Sequence, residues 1–189
     1  MKERILSSIR DSITAKQALL AAQPDAIEKA AQLTIDCLKN GGKILFFGNG
    51  GSASDSQHMA AEFTGRYEKE RRPLAAVALS TDTSALTAIG NDYGFDRVFE
   101  RQVGALGRKG DVAFGISTSG NSKNVVLGIR KARELGLKTV GLLGRDGGEL
   151  KGLVDVPIVV NAPKTSRIQE CHILIGHIIC ECVDEAFAS

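Results

Sequence analysis

The stretch KILFFGNGGSASDSQHMAAEF, Lys43–Phe63, changes character twice. KILFF (Lys43–Phe47) is a short, unbroken apolar run, as expected of a strand covered on both faces in a parallel sheet. GNGGSAS (Gly48–Ser54) then offers only small side chains, hydroxyls and one amide. From there to Phe63 the spacing is helical, with His58 and Glu62 four residues apart and so on one face. Strand, small-residue loop and helix in that order form the repeating unit of a doubly wound α/β sheet, and the loop is where such sheets hold phosphate.

Four more runs of the same kind follow: AAVAL (Ala75–Leu79), VAFGI (Val112–Ile116), TVGLL (Thr139–Leu143) and VPIVV (Val156–Val160). Helical patterns separate them. PDAIEKAAQLTIDCLKN stops at Gly41-Gly42 before the first run, and NSKNVVLGIRKARELG stops at Gly136 before the fourth, glycine being the usual helix stop. SRIQECHILIGHIICECVDEAF reads as one long apolar helix. The alternation predicts a five-stranded, doubly wound parallel sheet flanked by helices, a three-layer α/β sandwich. A chain of 189 residues suits a single domain over residues 1–189. Ile5, Ile9 and Ile13 recur at i+4, so the chain begins with an amphipathic helix. This N-terminal helical extension, about residues 1–40, is expected to pack against another subunit.

Composition excludes several functions. A net charge of +2 is too small to argue for nucleic acid or a membrane surface, and with no Trp and 5% aromatics there is no stacking platform for bases. No run approaches the ~18 apolar residues of a membrane span. MKERILSSIRDSI carries charges throughout and has no secretion-signal core. Cys37, Cys171, Cys180 and Cys182 form no C-x-x-C pair and read as reduced thiols of a cytoplasmic protein. RYEKERRP (Arg66–Pro73) is the densest charge run; acids interrupt its bases, so it reads as a solvated helix end and loop.

Two strand ends are chemically alike. GNGGSAS follows the first run and STSGNS (Ser117–Ser122) the third. Each lets backbone N–H groups approach an anion, supplies hydroxyls and opens a helix whose N-terminus favours negative charge. Together they point to a sugar-phosphate site. Ser52 with Asp55 fits a capping box. A Walker loop is excluded because no Gly-Lys-Ser/Thr occurs. Gly48-x-Gly50-x-x-Ala53 matches a variant dinucleotide fingerprint, a minor alternative, but its ribose-binding acid would be Asp82, roughly ten residues late, and the second serine loop would go unexplained.

His58 and Glu62 share a face that starts at the first loop. Gln169 and His177, eight residues apart, return to within ~80° of each other on a helix, whereas His172 lies about 140° away from His177 and reads as structural. A His–Glu pair at this spacing is equally an ordinary surface pair, and His177 equally a core histidine. Asn91 and Asp92, in the polar loop NDYGF, suit sugar hydroxyls or an Asx turn.

Taken together, GNGGSASDSQHMAAEFTGRY, GNDYGF, GISTSGNS and RIQECHILIGHI resemble the SIS (sugar isomerase) domain, and within it the phosphoheptose isomerases, which interconvert sedoheptulose 7-phosphate and D-glycero-D-manno-heptose 7-phosphate. The resemblance implies that Asn49, Gly50, Gly51, Ser52, Asn91, Asp92, Ser117, Thr118, Ser119 and Ser122 contact substrate. It makes Glu62 the general base and His177 the general acid, and adds Gln169 to the site. It implies zinc held by His58, Glu62, Gln169 and His177, a homotetramer with sites at subunit interfaces, and heptose supply for lipopolysaccharide or another surface glycan. A related SIS protein that binds a replication initiator lacks the counterparts of Glu62 and His177; both are present here. Many of these enzymes carry Asp where this chain has Ser166, and a carboxylate there would orient His177 more strongly than a hydroxyl. A non-catalytic sugar-phosphate or protein-binding module, and an isomerase of another sugar phosphate, stand as the alternatives.

Overall fold

All five apolar runs form strands, and all pair in parallel. The computed structural model describes residues 1–188. Two helices, α1 (Lys2–Ala22) and α2 (Pro24–Lys39), precede β1 (Ile44–Gly48), α3 (Gly51–Thr64), β2 (Ala76–Ala78) and α4 (Thr83–Tyr93). A 3-10 turn at Phe95–Arg97 leads into α5 (Val98–Leu106), β3 (Val112–Ser117), α6 (Lys123–Glu134), β4 (Lys138–Gly144), the short α7 (Gly148–Lys151), β5 (Val156–Val160) and α8 (Thr165–Phe187).

Side chains alternate across each strand, so the unbroken runs serve two cores at once. Ile44, Phe46, Phe114, Ile116, Leu142 and Ile158 face α1, α2, α3 and α8. Leu45, Phe47, Ala113 and Leu143 face α5 and α6 on the other side. Phe46 touches both Phe63 of α3 and Phe114 of β3, with ring centroids 5.7 and 5.0 Å apart. Each fully buried side chain of this size contributes roughly 3 kcal/mol, so the central strands dominate the stability. At the sheet edge, β2 has only three residues, and Val77 is largely exposed.

The strand order is β2-β1-β3-β4-β5. Chain direction across the sheet reverses between β1 and β3, which makes their carboxyl ends the topological switch point where such sheets bind ligands. The two serine-rich loops are the segments that leave β1 and β3.

Some expectations change. No capping box forms: Gly50, at φ 56, occupies the N-cap of α3 without a side-chain cap, while the Ser52 side chain is buried. Asn91 and Asp92 lie in the last turn of α4 rather than in a loop. Ser166 and His177 sit on one continuous helix. Eleven residues at 1.5 Å each separate them by roughly 16 Å, so within one chain the side chain at 166 does not orient that imidazole. The four cysteines are free, three of them buried. Among the described residues no helix is long and apolar enough to cross a membrane.

Candidate active site

The first loop turns on Gly50, whose positive φ suits glycine. Next to it, a Cβ on Gly51 would lie 2.4 Å from Gln169 Nε2. The start of α8 therefore rests directly on the start of α3. In the second loop, Ser117 Oγ lies 2.8 Å from Ser122 Oγ and 3.4 Å from Ser119 Oγ, and Ser119 Oγ accepts from the Asn121 amide at 3.1 Å. Thr118 and Ser119 are partly buried. Gly120 has φ 69, and a Cβ there would strike the Gly147 carbonyl at 2.1 Å, so the loop lies hard against the turn after β4.

The two loops are tied together. Asn49 Nδ2 donates to Asn124 Oδ1 at 2.8 Å, and Asn124 Nδ2 donates back to Asn49 Oδ1 at 2.9 Å. Asn124 is buried. It escaped the sequence reading because its partner is 75 residues away; its position two residues after Ser122 in NSKN was the only available signal. The reciprocal pair spans the switch point and fixes the spacing of two helix N-termini, whose first-turn amides lack partners inside the helix.

One turn and more along α3, His58 Nε2 meets Glu62 Oε1 at 2.9 Å. The His58 and His177 rings stand edge to face with centroids 5.1 Å apart. His177 is partly buried beside α3 rather than sunk in the core. A carboxylate and two imidazoles from segments more than a hundred residues apart thus gather on one patch. Asp55, one turn before His58, has its Oδ2 buried without a hydrogen-bond partner. Burial raises its carboxyl above the ordinary range, opposed by charge on His58 and His177. His172 goes elsewhere: it is fully buried, with Nε2 donating to the Leu143 carbonyl at 3.0 Å.

Not every expected residue joins the patch. Gln169 stays at the first loop, and eight residues of helix place it roughly 12 Å along α8 from His177. Asn91 and Asp92 are exposed at the end of α4, a helix with no buried residue. Two imidazoles and a carboxylate suit zinc in kind, whereas the amide of Gln169 is an uncommon ligand for it. Among the described residues, however, no group of three or more His, Cys, Asp or Glu side chains is gathered at metal-binding spacing. His58 Nε2 is engaged by Glu62, so the donors would have to turn before sharing an ion.

The charge run Arg66–Pro73 is not simply solvated. Arg71 is buried, its Nε donating to Asp184 Oδ1 of α8 at 2.7 Å. Its other nitrogens donate to the carbonyls of Glu62, Phe63, Gly65 and Arg72. Asp184 Oδ2 also accepts from the amides of Glu68 and Lys69. Burial alone would raise the Asp184 carboxyl, but the two amides and the guanidinium outweigh it and hold the group below its usual range. Losing one partner of such a pair costs about 3–5 kcal/mol.

Strand order and paired loops at the switch point are those of a SIS-domain protein, and the SIS domain family model matches residues 9–144. A phosphoheptose isomerase of Aliarcobacter butzleri is 58% identical over 166 residues, 88% of each chain. The structure of a phosphoheptose isomerase from Neisseria gonorrhoeae superposes with a TM-score of 0.93 at 52% identity, covering 97% of this chain and 98% of that one. One from Francisella tularensis gives 0.94 at 39% identity and 97% of each. The chain belongs to the phosphoheptose isomerases, and the reading as a non-catalytic module is not favoured.

Proposed function

We propose that this enzyme interconverts sedoheptulose 7-phosphate and D-glycero-D-manno-heptose 7-phosphate through an enediol, with Glu62 as general base and His177 as general acid. Isomerisation moves one proton between adjacent carbons. Glu62 takes a proton from C1 while His177 protonates the C2 carbonyl oxygen; returning a carbon-bound proton to C2 and releasing the O1 proton completes the aldose. An imidazole suits the second role because its ordinary pKa of ~6.5 lies close to working pH. The two serine loops, through Asn49, Gly50, Gly51, Ser52, Ser117, Thr118, Ser119 and Ser122, hold the C7 phosphate and the near hydroxyls. That anchoring aligns C1 and C2 at the far end, and Gln169, lying on Gly51, serves the substrate end of the cleft.

The observation that supports this best is the meeting of Glu62 and His58, on the helix that the first loop opens, with His177 of α8. Zinc, if bound, would be held by His58, Glu62 and His177 after those side chains turn towards one another, with Gln169 reaching in from the first loop, and would supply Lewis-acid stabilisation of developing negative charge on the substrate oxygens; Glu62 and His177 serve as base and acid only when they are not its ligands. The working form is a homotetramer whose sites lie at subunit interfaces. Exposed Asn91 and Asp92 at the tip of an α4 with no buried residue suit delivery to a neighbour's site. The reaction takes place in the cytoplasm and opens the supply of activated heptose for lipopolysaccharide or another surface glycan.

Glu62→Gln and His177→Gln, assayed on sedoheptulose 7-phosphate, test the assignment. Each is expected to lower kcat by roughly 10²–10⁴-fold. Full turnover in both removes the two roles, and no turnover in the parent enzyme removes the substrate.

A further inference from the structure

His177 has a second aromatic neighbour. The Tyr67 ring stacks on the imidazole, with centroids 5.4 Å apart and planes 28° from parallel. The same imidazole also meets the His58 ring edge to face. Tyr67 belongs to the segment between α3 and β2, which would be free to wander were it not clamped. The clamp is Asp184, which accepts from the amides of Glu68 and Lys69 at 2.7 and 2.8 Å and pairs with buried Arg71. Asp184 lies seven residues, two helical turns, beyond His177 on α8. One helix thus carries the imidazole and also fixes the strap that lays a ring on it. Arg71 adds a second tie, donating to the carbonyl of Glu62 at 2.7 Å. The Tyr67 hydroxyl makes no hydrogen bond among the described residues, so it is the flat ring that the geometry employs.

We propose that Tyr67 is a positioning residue for the isomerisation: its ring, locked by the Asp184–Arg71 clamp, holds the His177 imidazole in the plane from which it reaches the substrate oxygen. This rests on the role of His177 proposed above. An imidazole on a partly exposed helix face otherwise samples several rotamers, and misplacing a catalytic group by about 1 Å can cost on the order of a hundredfold in rate. The competing account is that Tyr67 merely covers apolar surface, since its ring also packs against the core beneath α3 and α8.

Tyr67→Met keeps apolar cover but removes the flat face; Tyr67→Phe keeps the face and loses only the hydroxyl. In the full-length enzyme, Tyr67→Met is expected to lower kcat by roughly ten- to a hundredfold with KM within twofold, while Tyr67→Phe restores kcat to near the parent value. Imidazole proton resonances of His177, assigned by their loss in His177→Gln, should be displaced upfield by the tyrosine ring current in the parent and in Tyr67→Phe, and lose that displacement in Tyr67→Met. Absence of the upfield displacement in the parent overturns the proposal without any variant. So does unchanged kcat in Tyr67→Met, an equal loss in Tyr67→Phe, or a rise in KM alone. If the parent turns over but His177→Gln does so equally well, the acid assignment has failed, and the resonances still report whether the stacking exists.

Discussion

His172 is buried completely, and its Nε2–H has one fixed acceptor, the Leu143 carbonyl. Its Nδ1 faces the interior without a partner. Burial, partly offset by that backbone bond, pushes its pKa from 6.5 down to about 4. The folded chain therefore refuses a proton that the unfolded chain accepts below pH 6.5. Stability is intact above that value, falls as pH drops from 6.5 towards 4, and stops falling on this account below it. The full loss is about 3 kcal/mol. Denaturant melts of the parent and of His172→Gln, which keeps an N–H for Leu143, should show a steeper decline for the parent over that window; parallel declines would mean that another group carries the effect. Helical periodicity alone set His172 on a different face from His177, and the difference in burial follows that face. Nothing local, by contrast, marks Arg71 as buried among exposed charges: the group that compensates it, Asp184, is 113 residues away.

At the scale of elements, two glycines that look interchangeable in the sequence differ sharply. Gly51 is helical, and the nearest atoms to an added methyl are those of the Gln169 side-chain amide. That side chain can swing away, and Ala gains up to about 1 kcal/mol over Gly in a helix. Gly51→Ala should therefore keep or raise the melting temperature while raising KM, because the displaced amide then intrudes on the substrate end. Gly120 combines positive φ with a backbone carbonyl 2.1 Å from the added methyl. Gly120→Ala should cost about 2–3 kcal/mol or more and lower kcat and melting temperature together. Thermal melts beside steady-state kinetics separate the two; a Gly51→Ala enzyme as unstable as Gly120→Ala would contradict the packing. The strands, the helices on either side of β1, the helix between β3 and β4, the final helix and both loops could be read from runs and glycines because those signals are local. The Asn49–Asn124 tie could not, since it exists only once β1 and β3 lie side by side. The placement of Gln169 at the loop, far along α8 from His177, likewise depends on how α8 crosses α3.

For the whole molecule, α1 poses the question. It docks on its own fold through buried Ala15 and Leu19 near its C-terminal end and through polar ties: Ser12 Oγ to Glu170 at 2.7 Å, Lys164 to Asp11 at 2.6 Å, and Arg167 to the Ser8 carbonyl. Its apolar residues Ile5, Ile9 and Ile13 instead point outward, 53%, 53% and 50% exposed. The i+4 spacing foretold the helix but not which face would meet the sheet. Leaving three isoleucines in water forgoes about 1–2 kcal/mol each, which a second copy packed over them in the tetramer proposed above would recover. A separate apolar cavity of about 510 Å³ lies between α1, α2 and α8, lined by Leu20, Ile27, Leu174 and Ile178. Ile9→Glu with Ile13→Glu places two carboxylates on each copy at the isoleucine face, where burial costs several kcal/mol per charge. Light scattering should then report species below four chain masses, with the circular dichroism of each fold retained. Turnover should fall in the same preparations, because in the proposed tetramer Asn91 and Asp92 serve a neighbouring chain's site. A double variant of unchanged mass and unchanged turnover would remove this face as the seam of the proposed tetramer; unchanged turnover in a dissociated chain would show that one copy of Glu62, His177 and the serine loops suffices.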